Sequence, residues 1–206
     1  RLPAAHRDVS RAVQFLRQRA AEWRLDTSRF GGFGGSAGAQ LVMYLAFHDD
    51  LADPRSADPV ARESSRLACA APQGGQASMG LEWWDAHIPH NTTRASRLPS
   101  LAAWNEKWFG TSDPVSAAAI VAETSALTLL TRDDPPVFLT YGMPPDSPRP
   151  ADPQAAENWI SHHVAHGVAL KKRCDELGVE AHLKYPGARP RYTSGIEFLK
   201  ARLLAP

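Results

Sequence analysis

Several features that mark particular protein classes are scarce in this chain. Two cysteines in 206 residues are too few for the disulfide framework of a small secreted domain. The 23 basic and 22 acidic residues leave a net charge of +1, so there is no electrostatic case for nucleic acid as a partner. No apolar run is long enough to span a membrane. With these classes excluded, the content of 43% hydrophobic residues predicts a single globular domain over residues 1–206.

The chain also lacks a starting methionine and a signal peptide. It opens on Arg1, in "RLPAAHRDVSRAVQF". We therefore expect the native N-terminus to lie upstream. The missing leader then leaves the compartment open, export included.

Strand and helix patterns alternate along the sequence. The segments "RLACAAPQGG", "PPVFLTYG" and "VEAHLKYPG" are typical of buried strands, and "PPVFLTYG" is the clearest of them. A long helix is predicted over about 157–177 and a last one over "SGIEFLKARLL". This order predicts an α/β fold with a mostly parallel sheet flanked by helices. An irregular insert at about 78–130 holds four of the six tryptophans.

The stretch "FGGFGGSAGAQLVMYLAF" places five glycines around one serine, directly before an apolar helix. Gly34, Gly35, Ser36, Ala37 and Gly38 form a G-x-S-x-G motif between a predicted strand and a predicted helix, which is the context of a nucleophile elbow. A phosphate-binding P-loop would need Lys-Ser/Thr after its glycine. A dinucleotide loop fits only with its last glycine replaced. The motif therefore favours a nucleophilic serine.

These residues resemble the nucleophile region of the α/β-hydrolase carboxylesterases and lipases, the group that includes the hormone-sensitive-lipase-like enzymes. The segments "DDPPVFLTYG" and "LKKRCDELGVEAHLKYPG" are similar to that family's acid strand and to its last helix and strand. The resemblance implies hydrolysis of a small-molecule ester through an acyl-enzyme, with no cofactor. It assigns the nucleophile to Ser36 and one oxyanion donor to the Ala37 N–H.

The chain departs from the family pattern at its start. The family's first strands and its Gly-rich oxyanion loop have no counterpart before the first helix, so the N-terminal part of the fold is expected to be missing. The nucleophile strand would then form an open sheet edge, which predicts a homodimer through that edge.

The acid of the triad should follow the strand "VFLTYG". Asp146, in "GMPPDSP", fits this position, and Asp152 is the reserve. Asp133 and Asp134 lie at the other end of the strand and are interpreted as turn residues.

The histidine departs from the pattern as well, because Pro190 stands where the family's histidine would fall in "YPGARPRY". The remaining candidates are His162, His163 and His166 in "SHHVAHG". On one continuous helix, His163 shares the apolar stripe, whereas the other two share an exposed face. His163 is therefore the predicted base. His162 and His166 could hold a metal by spacing, but no third ligand is evident, so no metal site is predicted.

The tryptophans of the insert allow two interpretations. Trp83, Trp84 and Trp104 lie where the family carries a lid, so they could line a substrate pocket together with His87 or His90. Alternatively, they form a small core that holds the insert together.

Two functions follow from these patterns. The first is a serine carboxylic ester hydrolase with Ser36, Asp146 and His163 as its triad. The alternative is a hydrolase-fold binding protein or an inactive fragment, favoured by the missing histidine and strands. Acyl and alcohol specificity are left open.

Overall fold

The computed structural model describes residues 1–89 and 100–204. Their strands form one parallel sheet in the order β1-β2-β3-β4. The strands are β1 (Gly31–Gly35), β2 (Cys69–Gln73), β3 (Val137–Thr140) and β4 (Ala181–Lys184). Helical segments lie in every connection, as parallel strands require. The predicted α/β fold, a mostly parallel sheet flanked by helices, is confirmed.

The helices of the described residues are 4 to 15 residues long, and the predicted helix over about 157–177 is two helices. They are α1 (Ala4–Gln18), α2 (Ala20–Trp23), α3 (Ala37–Phe47), α4 (Leu81–His87), α5 (Leu101–Phe109), α6 (Pro114–Thr124), α7 (Ala126–Leu129), α8 (Pro153–Ser161), α9 (Ala165–Leu177) and α10 (Gly195–Leu203). Of these, α4 to α7 belong to the predicted insert at 78–130, and residues 90–99 of that insert lie outside the described part.

The sheet separates two apolar layers because side chains alternate along each strand. In β3, Val137 and Leu139 pack with the α3 and α9 layer, whereas Phe138 packs with Phe198 of α10. All three β3 side chains are fully buried. A strand buried on both faces is typical of the middle of a parallel sheet.

The two cysteines lie in these opposite layers. Cys69 belongs to the α10 side and Cys174 to the α9 side. Both are buried and free, and burial raises the pKa of the Cys69 thiol to about 11. The cysteines are therefore packed side chains and not a disulfide.

β1 lies at one end of the strand order, and in the described residues it pairs only with β2. The Phe33 side chain on this strand is 54% exposed. An unpaired edge of this kind can accept another strand. The homodimer through this edge stays a prediction. In the described ranges, no helix is both long and apolar enough to cross a membrane.

Candidate active site

Ser36 lies on the turn that joins β1 to α3. Its backbone has φ 52° and ψ −115°, outside the regions that L-residues readily adopt. The Gln73 carbonyl at the end of β2 accepts the Ser36 N–H at 2.9 Å, which fixes the turn against the sheet. The side chain of Ser36 is left exposed at the carboxyl edge of the parallel strands.

The glycines around Ser36 differ in how strongly the turn requires them. A Cβ on Gly34 would lie 2.4 Å from the Gly38 carbonyl oxygen, so no side chain fits there. A Cβ on Gly35 would approach nothing closer than 4.0 Å, and one on Gly38 would meet nothing within 4 Å. Of these three glycines, Gly34 is the one that close backbone packing demands.

The helix α3 starts directly after Ser36, at Ala37. The first N–H groups of a helix have no partner within it, and they lie at the positive end of the helix dipole. The Ser36 side chain makes no capping hydrogen bond to them. Ala37 is exposed, so its N–H is available to an anionic oxygen formed beside Ser36.

The imidazole that reaches Ser36 belongs to His162. Its Nε2 lies 2.9 Å from Ser36 Oγ, and its Nδ1 lies 2.9 Å from the main-chain oxygen of Asn158, one turn back in α8. A carbonyl oxygen can only accept, so Nδ1 carries the proton. In the neutral ring, Nε2 is then an acceptor facing the Ser36 hydroxyl. This is the tautomer that a general base requires.

The structure does not bring His163, the base predicted from sequence, to Ser36. His163 is 1% exposed, its Nδ1 accepts the N–H of Ala165, and its ring packs against Trp159. Burial lowers the pKa of His163. The reason for the difference is the break between α8 and α9, which interrupts the helical spacing on which the prediction depended.

His166 is fully buried, although the sequence pattern put it on an exposed face. Its Nδ1 accepts the Ala77 N–H at 3.2 Å, and its ring stacks on Trp83 and meets Trp84 edge-on. Burial lowers the pKa of His166 to about 3, so the ring is neutral in the folded protein. His166 therefore ties α9 to the loop after β2.

Within the described part of the insert, His87 contacts Trp83 and not the Ser36–His162 pair. His87 is exposed, stacks on Trp83 at 4.5 Å and lies 2.8 Å from the Trp83 carbonyl oxygen through Nδ1. His90 lies outside the described residues.

Among the described residues, neither carboxylate proposed for the triad is hydrogen-bonded to one of these histidines. Asp146 is exposed in the loop after β3, and within the described ranges no hydrogen bond or ion pair joins it to a histidine. Asp152 caps α8, where its side chain accepts the Ala155 N–H at 2.8 Å. At the start of β3, Asp134 is buried in an ion pair with Arg66 at 2.7 Å.

The tryptophans proposed to line a pocket serve mainly as core. Trp84 and Trp104 are 5% and 7% exposed, meet edge-to-face at 5.0 Å and donate their indole N–H groups to main-chain oxygens. Trp83 is enclosed between His87 and His166. It borders a cavity of about 410 Å³ that Ser36 and His162 do not line; the lining includes Pro89, Pro145, His163, Val168, Lys172 and Arg173. Across the described part of the chain, no group of three or more His, Cys, Asp or Glu side chains could hold a metal ion.

The profile of BD-FAE, an α/β-hydrolase family, matches residues 1–150. No curated protein sequence matches the chain significantly.

Solved structures share the fold. An acetyl ester-xyloside bifunctional hydrolase from Caldicellulosiruptor lactoaceticus is 23% identical with a TM-score of 0.64, over 98% of this chain and 61% of that one. A truncated carbohydrate esterase from gut microbiota is 20% identical with a TM-score of 0.62, over 89% and 60%. The butyrate-bound esterase Est2 of Thermogutta terrifontis is 18% identical with a TM-score of 0.51, over 96% and 60%. The chain thus spans about three fifths of the length of these structures.

Proposed function

The chain belongs to the BD-FAE family of α/β-hydrolases, and on that premise we propose that it is a carboxylic ester hydrolase with Ser36 as its nucleophile and His162 as its general base. The hydrogen bond between Ser36 Oγ and His162 Nε2, in the tautomer fixed by the Asn158 carbonyl, carries this proposal. A free hydroxyl is a weak nucleophile, and an adjacent base activates it.

The reaction runs through an acyl-enzyme. Ser36 Oγ bonds to the ester carbonyl carbon as its proton passes to His162 Nε2, and the Ala37 N–H stabilises the oxyanion. The imidazolium returns the proton to the alkoxide oxygen as the C–O bond breaks, which releases the alcohol. Water then attacks the acyl carbon, gives its proton to Nε2 and releases the acid as Ser36 regains its hydrogen.

The group that orients the base is the main-chain oxygen of Asn158. A carbonyl fixes the same tautomer as the carboxylate of a Ser-His-Asp triad, although it brings no full negative charge. Asp146, the acid predicted from sequence, has no bond to His162 that would give it this role. Asp146→Asn is therefore expected to keep the acylation rate within about twofold of the wild-type rate. A loss above about 100-fold would instead assign to Asp146 the role of orienting the base.

The substrates we propose are short acyl esters carried on sugars. Ser36 and Ala37 are exposed, and the cavity beside Trp83 is not lined by the Ser36–His162 pair, so that cavity does not supply an enclosed channel for a long acyl chain. Two of the similar structures are described as an acetyl ester-xyloside hydrolase and a carbohydrate esterase. Turnover of acetyl esters over octanoyl esters tests this size limit.

The decisive experiment is labelling with a fluorophosphonate probe followed by peptide mapping. We expect the label on Ser36, its loss in Ser36→Ala, and a rate lower by about 10²- to 10⁴-fold in His162→Gln. The matched control is His163→Gln, which removes the neighbouring imidazole and should keep most of the labelling. Folded wild-type protein that takes no label would refute the proposal and leave a non-catalytic hydrolase-fold binding protein.

A further inference from the structure

The loop that follows β2, residues Gln73–Ala77, touches both members of the Ser36–His162 pair. The Gln73 carbonyl holds the Ser36 N–H at 2.9 Å. At Gly74 and Gln76, one and three residues later, the same segment meets the end of α8 that carries His162. One short segment therefore spans the distance between the nucleophile and the base.

The contact with the base is made by Gly74. This residue has φ +63°, and a Cβ built on it would lie 3.2 Å from His162 Cδ2. That distance is tighter than ordinary van der Waals contact, so the imidazole lies directly against the Gly74 backbone. The Gly74 N–H is itself tied to the Thr140 oxygen of β3 at 2.8 Å, which makes the surface under the ring part of the sheet.

The contact with the helix is made by Gln76. Its side chain is 8% exposed, and Nε2 donates to the Ser161 oxygen at 2.9 Å and to the Gly74 oxygen at 3.3 Å. Ser161 immediately precedes His162, so the Gln76 amide joins the last residue of α8 to the glycine under the ring. Without it, two main-chain oxygens in a buried region would lose their donor.

The rest of the loop is anchored independently. The Tyr141 hydroxyl donates to the Gly75 oxygen at 2.7 Å, and the Ala77 N–H donates to His166 Nδ1. A cap on α8 comes from the other end of that helix, at Asp152. The Gln76 amide is thus the side-chain bond that joins an anchored loop to the residue beside the base.

We propose that Gln76 is a positioning residue, which holds the C-terminal end of α8 so that the His162 imidazole meets Ser36. The proposal rests on the function proposed above for the Ser36–His162 pair. Gln76 touches neither the substrate nor the reacting atoms. Its effect should therefore appear in the acylation rate and not in substrate affinity.

The test compares two glutamines with the same chemistry. Gln14 in α1 is 5% exposed and its Nε2 also bridges two main-chain oxygens, those of Leu51 and Glu63. Gln76→Met and Gln14→Met each delete one such bridge. We expect both to lower the melting temperature, but only Gln76→Met to slow labelling and kcat by about 10- to 100-fold, with KM within about twofold. Equal effects of the two variants on kcat would overturn the proposal.

A second pair keeps the test open if Gln76→Met fails to fold. Gly74→Ala and Gly178→Ala both force alanine into a positive φ, +63° and +76°, but only the former places a Cβ against His162. We expect similar losses of stability from the two variants and slower labelling from Gly74→Ala alone. Labelling at the same rate in both would refute the role of this loop.

A measurement that needs no catalysis separates the two proposals. Nitrogen NMR of labelled histidine reports whether His162 Nε2 accepts a hydrogen bond, with His162→Gln for assignment and Ser36→Ala as the reference without that bond. We expect the signal of a bonded Nε2 in the wild type and in Gln14→Met, and a signal close to that of Ser36→Ala in Gln76→Met. A wild type with the bonded signal that takes no fluorophosphonate refutes the esterase and keeps the positioning role. A labelled wild type whose bonded signal is unchanged in Gln76→Met refutes the positioning role alone.

Discussion

The strained backbone of Ser36 predicts that glycine at this position gives a more stable protein than alanine does. At φ 52° and ψ −115°, an L-residue pays a conformational cost of about 1–3 kcal/mol that glycine avoids. Glycine also has more conformational freedom in the unfolded chain, which lowers the stability gained from the relief of strain by about 0.4–1 kcal/mol. The net expectation is that Ser36→Gly is more stable than Ser36→Ala by about 1 kcal/mol.

Ser36→Ala is the matched reference because both variants lose the hydroxyl and its bond to His162, and only the alanine keeps the strain. A gain of about 1 kcal/mol raises the melting temperature by about 2–4 °C for a chain of this size. Urea denaturation and calorimetry of the two variants measure the difference. Both should be inactive.

The control is a second alanine-to-glycine change at a regular position. Ala118 is exposed in the middle of α6, where glycine lowers stability by about 0.5–1 kcal/mol relative to alanine. The two changes therefore have opposite signs. If Ser36→Gly is as stable as Ser36→Ala or less so, the turn carries no strain of this size and the reasoning fails.

Two further predictions concern Gly34 and His6. Gly34→Ala should lower the free energy of unfolding by about 1–3 kcal/mol, because its Cβ meets the Gly38 oxygen at 2.4 Å; Gly38→Ala, with open space around the new methyl, should lower it by less, and equal urea midpoints would contradict this. Burial lowers the pKa of His6 from 6.5 to about 4. Between these pH values the unfolded chain binds a proton that the folded chain does not, so the free energy of unfolding falls by about 3 kcal/mol as the pH drops from above 6.5 to below 4. His6→Leu should flatten this fall in urea titrations at pH 7 and 4.5, and an unchanged fall would exclude His6 as its source.

The fold was predictable because its signals are local. The run "VFLTYG" is apolar and follows two prolines, and it forms β3 between the two layers. The elbow is also local, since the requirement for Gly34 comes from its close approach to the Gly38 carbonyl within a single turn around Ser36. Both features can be read from a few neighbouring residues.

The base could not be derived in the same way. His162 and His163 are adjacent, so which of them faces Ser36 depends on where α8 ends. In "WISHHVAHG" no glycine or proline follows Ser161 directly to mark the end of α8. Helical spacing continued past that point predicts His163. The deciding contacts, with Gly74 and Gln76, come from a loop more than 80 residues away in sequence.

His166 illustrates the same limit from the side of burial. Helical spacing groups it with His162 and Arg173, which indicated an exposed face, but α4 packs two tryptophan rings against it. The exposure of a helix face depends on which other parts of the chain pack against it. An insert without regular periodicity does not indicate where it will pack.

Two helix ends of opposite polarity meet at Ser36 and His162. The N-terminal end of α3 begins at Ala37, and the C-terminal end of α8 stops at Ser161, directly before His162. Helix termini carry roughly half a unit charge, positive at the first end and negative at the last. A negative oxyanion formed beside Ser36 would therefore lie at a positive helix end, and a positive imidazolium formed on His162 would lie at a negative one. A carboxylate loses its negative charge when it takes up a proton in acid. The negative end of α8 takes up no proton, so acid does not remove its stabilising effect on a protonated His162.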